Sequence, residues 1–276
     1  TARERLQRVP VTLKRFRQAV LAAACSGRLT VDWRQERAIE AVAAQEIEGI
    51  EYPEAWGCKR TAELVEAGTV ISYGIVLPGP NQAEGVPYVT GMDIDDGALI
   101  SAAQLWRTTP EIAAKHKRSE LRQGDVLLCV IRNLRVAVVP SGLDGANLTQ
   151  GTVRMRPSRE IRARYLAYYL SSPQAQAWMK ERYVGTDMPR INVEHTRTIP
   201  VPLPSLEEQA EIVKRVSELL GFADSVERRV TSAFRRVNLL MQAVLAKAFR
   251  GELVPTEAEL ARRESRSYEP ASELIA

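Results

Sequence analysis

The run from Ser205 to Arg250 constrains the fold more than any other part of the chain. Alternate steps of three and four from Gln209 land on Val213, Val216, Leu220, Ala223, Glu227, Val230, Phe234, Val237, Met241, Val244 and Ala248. Only Gln209 and Glu227 in this seam are polar. Such spacing gathers apolar side chains on one narrow helical face. One helix over the whole run would be roughly 69 Å long at 1.5 Å per residue. A helix of that length calls for another beside it. Its start is marked in "IPVPLPSLEEQAEIVKRV": Pro200, Pro202 and Pro204 forbid helix upstream and favour an extended approach. Ser205 and Glu208 then make the pattern S-x-x-E, in which Ser205 caps the helix and Glu208 is expected to reach back.

The N-terminal segment offers a second helix. Leu6, Val9, Leu13, Phe16, Val20 and Ala23 keep the three–four spacing, with a kink or fresh start expected at Pro10. The two ends of the chain are related. "QAVLAAACSGRL" at residues 18–29 returns as "QAVLAKAFRGEL" at residues 242–253, with eight of twelve positions identical. Each copy reads as a helix end followed by a glycine, Gly27 or Gly251, where a left-handed residue belongs. A domain is held between two versions of one element.

Residues 33–48 read as a short helix. Residues 51–200 have a different texture. Apolar runs such as "TVISYGIVLP", "VPYVTGMDI", "DVLLCVI" and "RVAVVP" alternate with Gly, Pro and Asn turns, and helices follow over 160–170 and 173–183. The expected fold class is α+β: one domain with a curved mixed sheet and helices, flanked by long coiled-coil helices. The expected boundaries are 1–30 for the N-terminal helix, 31–54 for a linker with a short helix and 55–200 for the central domain. Residues 201–250 would form the long helix and 251–276 a polar tail.

Signals for catalysis are few. No phosphate-binding G-x-x-x-x-G-K motif occurs. The two histidines have no ligand partner nearby, and the three cysteines are dispersed, so neither zinc nor a disulfide framework is expected. Asp93, Asp95 and Asp96 read as turn residues or a solvated face. No apolar run approaches the roughly 18 residues of a membrane span and no signal peptide is evident, which points to the cytoplasm. Thr1 stands where an initiator methionine would, so a longer parent chain is expected. The basic residues are unequal: seven of 38 are lysine and 31 arginine. Arginine forks suit phosphates and guanine edges, although a GC-rich coding bias yields the same excess.

The polar loops carry more information. Arg132, Asn133 and Arg135 come directly after the apolar strand "DVLLCVI". Asn147, Thr149 and Gln150 lie in "DGANLTQG", and Thr186, Asp187, Arg190 and Asn192 in "GTDMPRIN". Arginine pairs with guanine, and asparagine or glutamine with adenine, in the major groove. Asn and Asp in turns also commonly bond their own backbone, so each residue alone has a structural alternative. The candidate DNA-contacting set is Tyr73, Asn81, Arg132, Asn133, Arg135, Asn147, Gln150, Thr186, Arg190 and Asn192. Tyr73 and Asn81 bracket "GIVLPGP". Tyr165, Tyr168, Tyr169 and Trp178 are read as helix core against a sheet.

The order "YGIVLPGP…GVPYV", "RSELRQGDVLL", "VAVVPSGLDGANLTQGTVRMRP", "YLAYYLSSPQAQAW", "GTDMPRINV" and "IPVPLPSLEEQAEIV" resembles the specificity subunit of type I restriction–modification systems. "GRLTVDWR", "QAVLAKAFRGELV" and "EPASEL" add to it, and the resemblance spans essentially the whole chain. It implies a non-catalytic subunit that reads double-stranded DNA. Methyltransferase and restriction subunits would join it, and S-adenosylmethionine, ATP and Mg would reside on those partners. Family members carry two recognition domains separated by paired helices that set the gap between half-sites. This chain has one such domain. It is therefore expected to be the C-terminal half of a subunit, or a half-length form pairing as a homodimer through its helices. Two alternatives stay open: a coiled-coil adaptor whose central domain binds protein, and a stand-alone enzyme.

Overall fold

The computed structural model of the 276-residue chain describes residues 2–39, 44–95, 97–268 and 273. It comprises two units, Thr1–Leu13 with Phe222–Ala276, and Lys14–Gly221. In chain order the helices are α1 (Ala2–Cys25), α2 (Val31–Glu36), α3 (Pro110–Lys115), α4 (Ala163–Leu170), α5 (Pro173–Lys180), α6 (Val193–Arg197), α7 (Leu206–Phe249) and α8 (Glu257–Arg263). The first strands are β1 (Ala44–Ile47), β2 (Ile50–Pro53), β3 (Gly57–Arg60), β4 (Ser72–Tyr73), β5 (Val86–Val89), β6 (Ile94–Asp95), β7 (Ala98–Leu99) and β8 (Arg107–Thr108). The remainder are β9 (Val126–Cys129), β10 (Val136–Val138), β11 (Asn147–Leu148), β12 (Thr152–Met155), β13 (Tyr183–Val184), β14 (Arg190–Ile191) and β15 (Pro200–Leu203).

The larger unit is α+β. Its centre is an antiparallel sheet in the order β10–β9–β12–β4. Beside it β5 pairs in parallel with β11 and antiparallel with β8, so the strands are mixed. β9 and β12 are buried on both faces, and successive side chains point to opposite sides. Val126, Leu128, Val153 and Met155 face a core made with Tyr165, Tyr169 and Leu170 of α4, Trp178 of α5, Val20, Leu21, Ala24 and Cys25 of α1, and Ile212 and Val216 of α7. Leu127, Cys129 and Ala137 face a second core with Val89, Ile94, Leu121 and Leu148. The tyrosines read as core are core, except that Tyr168 is half-buried.

The proline strap is β15, paired antiparallel with β3. A proline has no N–H to give a ladder, so alternate prolines fit a strand bonded along one edge. On its other side the Pro202 carbonyl accepts from Tyr165 Oη at 2.7 Å, and the Pro200 carbonyl from Tyr169 Oη. Burial holds both phenols well above their ordinary pKa.

α7 then starts as expected at Ser205, whose Oγ accepts from the Glu208 amide at 3.2 Å. The other half of the capping box does not form. Glu208 is buried and its carboxylate turns to the N-terminal segment. Thr30 Oγ1 donates to it at 2.7 Å and Trp56 Nε1 at 2.9 Å, and Arg34 forms a buried ion pair with it. Arg34 also donates to the Gly27 carbonyl at 2.6 Å. A buried carboxylate takes charged and neutral donors in preference to an amide that Ser205 leaves near solvent. The seam's polar Gln209 is likewise buried, bonded to the carbonyls of Glu160 and Pro204 and to the Arg162 amide.

Two local readings differ from the structure. The helix expected over 33–48 is only α2; Ala44–Ile47 is β1, and residues 40–43 lie outside the described residues. Glu48 and Gly49 both adopt positive φ, 50° and 79°, which builds a two-residue β1–β2 hairpin turn. α1 continues through the exposed Pro10, so the alternative of a fresh start there does not occur. Asp96 and most of "EPASEL" lie outside the described residues. Asp93 caps a short turn, accepting from the Thr90 amide at 2.7 Å.

In the other unit, α8 begins with a complete capping box between Thr256 and Glu259. The seam residues Val230 and Phe234 of α7 are half-buried, whereas Val237, Met241, Val244 and Ala248 are exposed. Among the described residues no helix is long and apolar enough to cross a membrane.

Candidate nucleic-acid interface

Three of the polar loops meet at one end of the central sheet. β9 leads into a tight turn in which the Asn133 amide donates to the Ile131 carbonyl at 2.7 Å and Arg132 takes φ 64°. A γ-turn of this hand is strained for a residue with a Cβ, at about 1–3 kcal/mol. It is held because the Arg132 amide donates to the Pro189 carbonyl at 2.7 Å. The Ile191 amide donates to Val130 at 3.0 Å, and Ile131 bridges Arg190. These bonds stitch "GTDMPRIN" to the turn. The third loop joins through the Val130 amide to Gly151 at 2.9 Å and the Gln150 amide to Ile75 at 3.0 Å. Close approach of the backbones decides one residue here: a Cβ on Gly74 would stand 1.7 Å from the Leu148 carbonyl oxygen.

Arg132, Asn133, Gln150, Thr186, Arg190 and Asn192 are all exposed on this cluster. Among the described residues neither Arg132 nor Arg190 has an acidic partner. Arg135 sits lower, half-buried, with Nη1 donating to the Ile94 carbonyl at 2.5 Å and Nε to Asn133 Oδ1 at 3.3 Å. It braces the turn. Tyr73 is exposed on the edge strand β4, its ring 6.0 Å from the Arg118 guanidinium.

Two candidates are engaged otherwise. Asn147 is 2% exposed, its Oδ1 accepting from Ser119 Oγ and the Leu148 amide and its Nδ2 donating to the His116 carbonyl. It fastens α3 and the turn after it to β11 and cannot reach a ligand. Asn81 uses Oδ1 to accept from the Arg107 amide at 2.9 Å, which pins its loop to β8 and outside the cluster.

The sequence reading missed several exposed apolar side chains on the connections around the cluster: Val76, Leu77, Met92 and Met188. Only Met188 carried a signal, as an apolar residue in the polar stretch "GTDMPRIN"; Val76, Leu77 and Met92 lie in apolar runs, where exposure is not legible. The thiols are not reactive groups. Burial pushes Cys25 up to about 12 and raises Cys58 and Cys129 as well, so all three are protonated at neutral pH.

The family described as type I restriction modification DNA specificity domain matches residues 55–231. The chain is 36% identical over 259 residues to the type I restriction enzyme EcoBI specificity subunit of Escherichia coli, covering 92% of this chain and 53% of that protein. It is 30% identical over 270 residues to the EcoDI specificity subunit of the same species, covering 92% and 56%. The chain thus spans about half the length of the curated relatives it matches. A structure described as the basis of complex assembly and conformational transition of the type I R-M system superposes with TM-score 0.58 at 22% identity, covering 91% of this chain and 59% of that one. The HsdS subunit from Thermoanaerobacter tengcongensis gives 0.52 at 22% identity, covering 91% and 58%. At that identity the likeness is one of fold.

Proposed function

The chain belongs to the type I restriction–modification DNA specificity family, and from that premise we propose that it reads one half of a split double-stranded DNA target without catalysing a reaction itself. The observation that carries this reading is the meeting of three exposed loops. They present Arg132, Asn133, Gln150, Arg190 and Asn192 on one stitched support, with Arg132 held in a strained left-handed turn. Arginine, asparagine and glutamine forks are the side chains that discriminate guanine and adenine edges. A preorganised backbone lowers the cost of ordering them on binding.

Residues 55–200 would be the target-recognition domain and 201–250 the conserved helix. Methyltransferase and restriction subunits would perform the chemistry, carrying S-adenosylmethionine, ATP and Mg. A flipped adenine would enter the methyltransferase, not this chain. Two copies would pair through their long helices, a reading supported by the exposed seam residues of α7. Sedimentation showing only monomer across micromolar concentrations would overturn the pairing.

The test is co-expression with the cognate methyltransferase, followed by mapping of methylated adenines. Arg132→Ala or Arg190→Ala is expected to relax the motif at one base position, a loss of about 1–3 kcal/mol for a bidentate contact. Equal weakening on every sequence would mark a phosphate contact instead. Wild-type methylation patterns in both variants would remove the loop cluster from the reading surface.

A further inference from the structure

We propose that the unit Lys14–Gly221 carries a phosphate-binding cleft built on Arg154, distinct from the loop cluster. The cleft has a volume of about 620 Å³ and opens to solvent. Six cations line it, Lys117, Arg118, Arg122, Arg154, Arg156 and Arg197, against two carboxylates, Glu66 and Glu120. Two of the cations are already matched. Arg156 grips Asp125 through Nε and Nη2, both at 2.8 Å, and Arg197 pairs with Glu194 at 2.7 Å while donating to the Ile71 carbonyl. Lys117, Arg118 and Arg122 are exposed and have no acidic partner among the described residues.

Arg154 is the unusual member. It is 4% exposed, and Nη2 donates to the Arg118 carbonyl at 2.9 Å, but Nε and Nη1 have no hydrogen-bond acceptor. Asp125 is the carboxylate beside it, 4.0 Å from Nη1. That acid is committed elsewhere, to Arg156 and to the Arg122 amide. Ser72, the Cα partner of Arg154 across β4 and β12, also lines the cleft, and its buried Oγ is unbonded too. A buried guanidinium with idle donors is costly unless an anion completes it. Burial first, and then the neighbouring Arg156, pull the Arg154 pKa below its ordinary value against the opposing pull of Asp125 and Glu66. A phosphoryl oxygen in the cleft can accept from an idle N–H of the Arg154 guanidinium, with the serine hydroxyl as a second donor.

The register separates this cleft from the loops. Asp125 immediately precedes β9 and Arg156 follows β12, whereas Arg132 lies beyond the other end of β9 and Gln150 precedes the other end of β12. The phosphate could be free or a DNA backbone phosphate outside the recognised bases, and the experiment separates these.

The full chain is titrated with inorganic phosphate against chloride at equal ionic strength, following thermal midpoint and binding heat. Phosphate is expected to raise the midpoint saturably, where chloride does not. Lys117→Ala/Arg118→Ala, both on the exposed rim, is expected to weaken phosphate binding at least five-fold, and Arg154→Gln to abolish it. A second arm uses a random duplex. If the cleft takes backbone phosphate, the rim variant lowers the salt slope of duplex binding by about one to two, and phosphate competes with the duplex. If it takes free phosphate, duplex binding is unchanged. Wild-type protein without a phosphate-specific response overturns the proposal, whatever the DNA result. The titration needs no DNA, so failure of the half-site reading leaves it intact.

Discussion

The two copies of the repeated dodecapeptide are the same local structure in two different environments. Residues 18–29 and 242–253 each end a helix and each place a glycine in the left-handed region, Gly27 at φ 73° and Gly251 at φ 71°. There the likeness stops. Leu21 is 9% exposed and lies in the larger core, while its counterpart Leu245 is 54% exposed. Cys25 is buried, while its counterpart Phe249 is 91% exposed. A Cβ on Gly27 would meet the Pro53 ring at 2.3 Å, whereas one on Gly251 would meet nothing within 4 Å among the described residues. The difference arises in the residues just beyond each copy. After Gly27 come Thr30 and Arg34, which hold the buried Glu208; after Gly251 the corresponding positions are Val254 and Ala258. Helix and left-handed cap are local consequences of sequence, and burial depends on a receiver elsewhere.

The largest effect should come from removing the receiver. Glu208→Ala strands Arg34 without its anion, and breaking one side of a buried pair costs about 3–5 kcal/mol. Urea denaturation of the variant should show that loss, and an unchanged midpoint would mean the first copy is held by apolar packing alone. Next come the glycines. Gly27→Ala should lose about 1–2 kcal/mol to the left-handed Cβ and about 1–3 kcal/mol more to displacement of the Pro53 ring. Gly251→Ala should show only the first loss, so equal effects would erase the contrast. Leu21→Ala should cost about 2 kcal/mol as a partly rimmed core site, whereas Leu245→Ala should stay within about 0.5 kcal/mol. Leu245→Ala should instead weaken any self-association seen by sedimentation.

The smallest effect concerns pH. Asp32, just beyond the first copy, is held below its ordinary 3.8 by the hydrogen bond from Arg215, which also donates to the Leu29 carbonyl. A lowered folded value means the contribution is complete above the unfolded pKa and fades as pH falls through the folded one. The stability gap between wild type and Asp32→Asn should therefore be full at pH 7 and shrink below about pH 4. A gap that persists into strong acid would remove Asp32 from the docking of this segment. The second copy has Thr256 at the corresponding place, with no charge to titrate.

Much of this was legible in the residues. The three–four seam, the proline strap and Ser205 predict the long helix and its start, because each acts through the backbone within one or two turns. The loop residues Arg132, Gln150 and Arg190 were legible as polar side chains next to strand ends. The failures share a cause. Glu208 fits the capping-box pattern yet is recruited by Thr30, Arg34 and Trp56, from a segment more than 150 positions upstream. Asn147 looks like Gln150 in a glycine-bounded loop, but its side chain points inward to Ser119 and His116. Arg154, with two idle donors, lies within an ordinary β-strand, and its surroundings are set by Ser72 on the neighbouring strand β4 and by Asp125 just before β9.

The order of amino acids by itself determined where the long helix begins, that the chain's ends are kin, and which polar residue types the loops carry, since torsional preference, capping and periodicity operate over a few residues. Only the tertiary structure decided which buried charge found a partner, which of two kindred helix ends was covered, and which loops shared one surface. Those outcomes depend on desolvation and packing between segments far apart in the chain, where no local rule reaches.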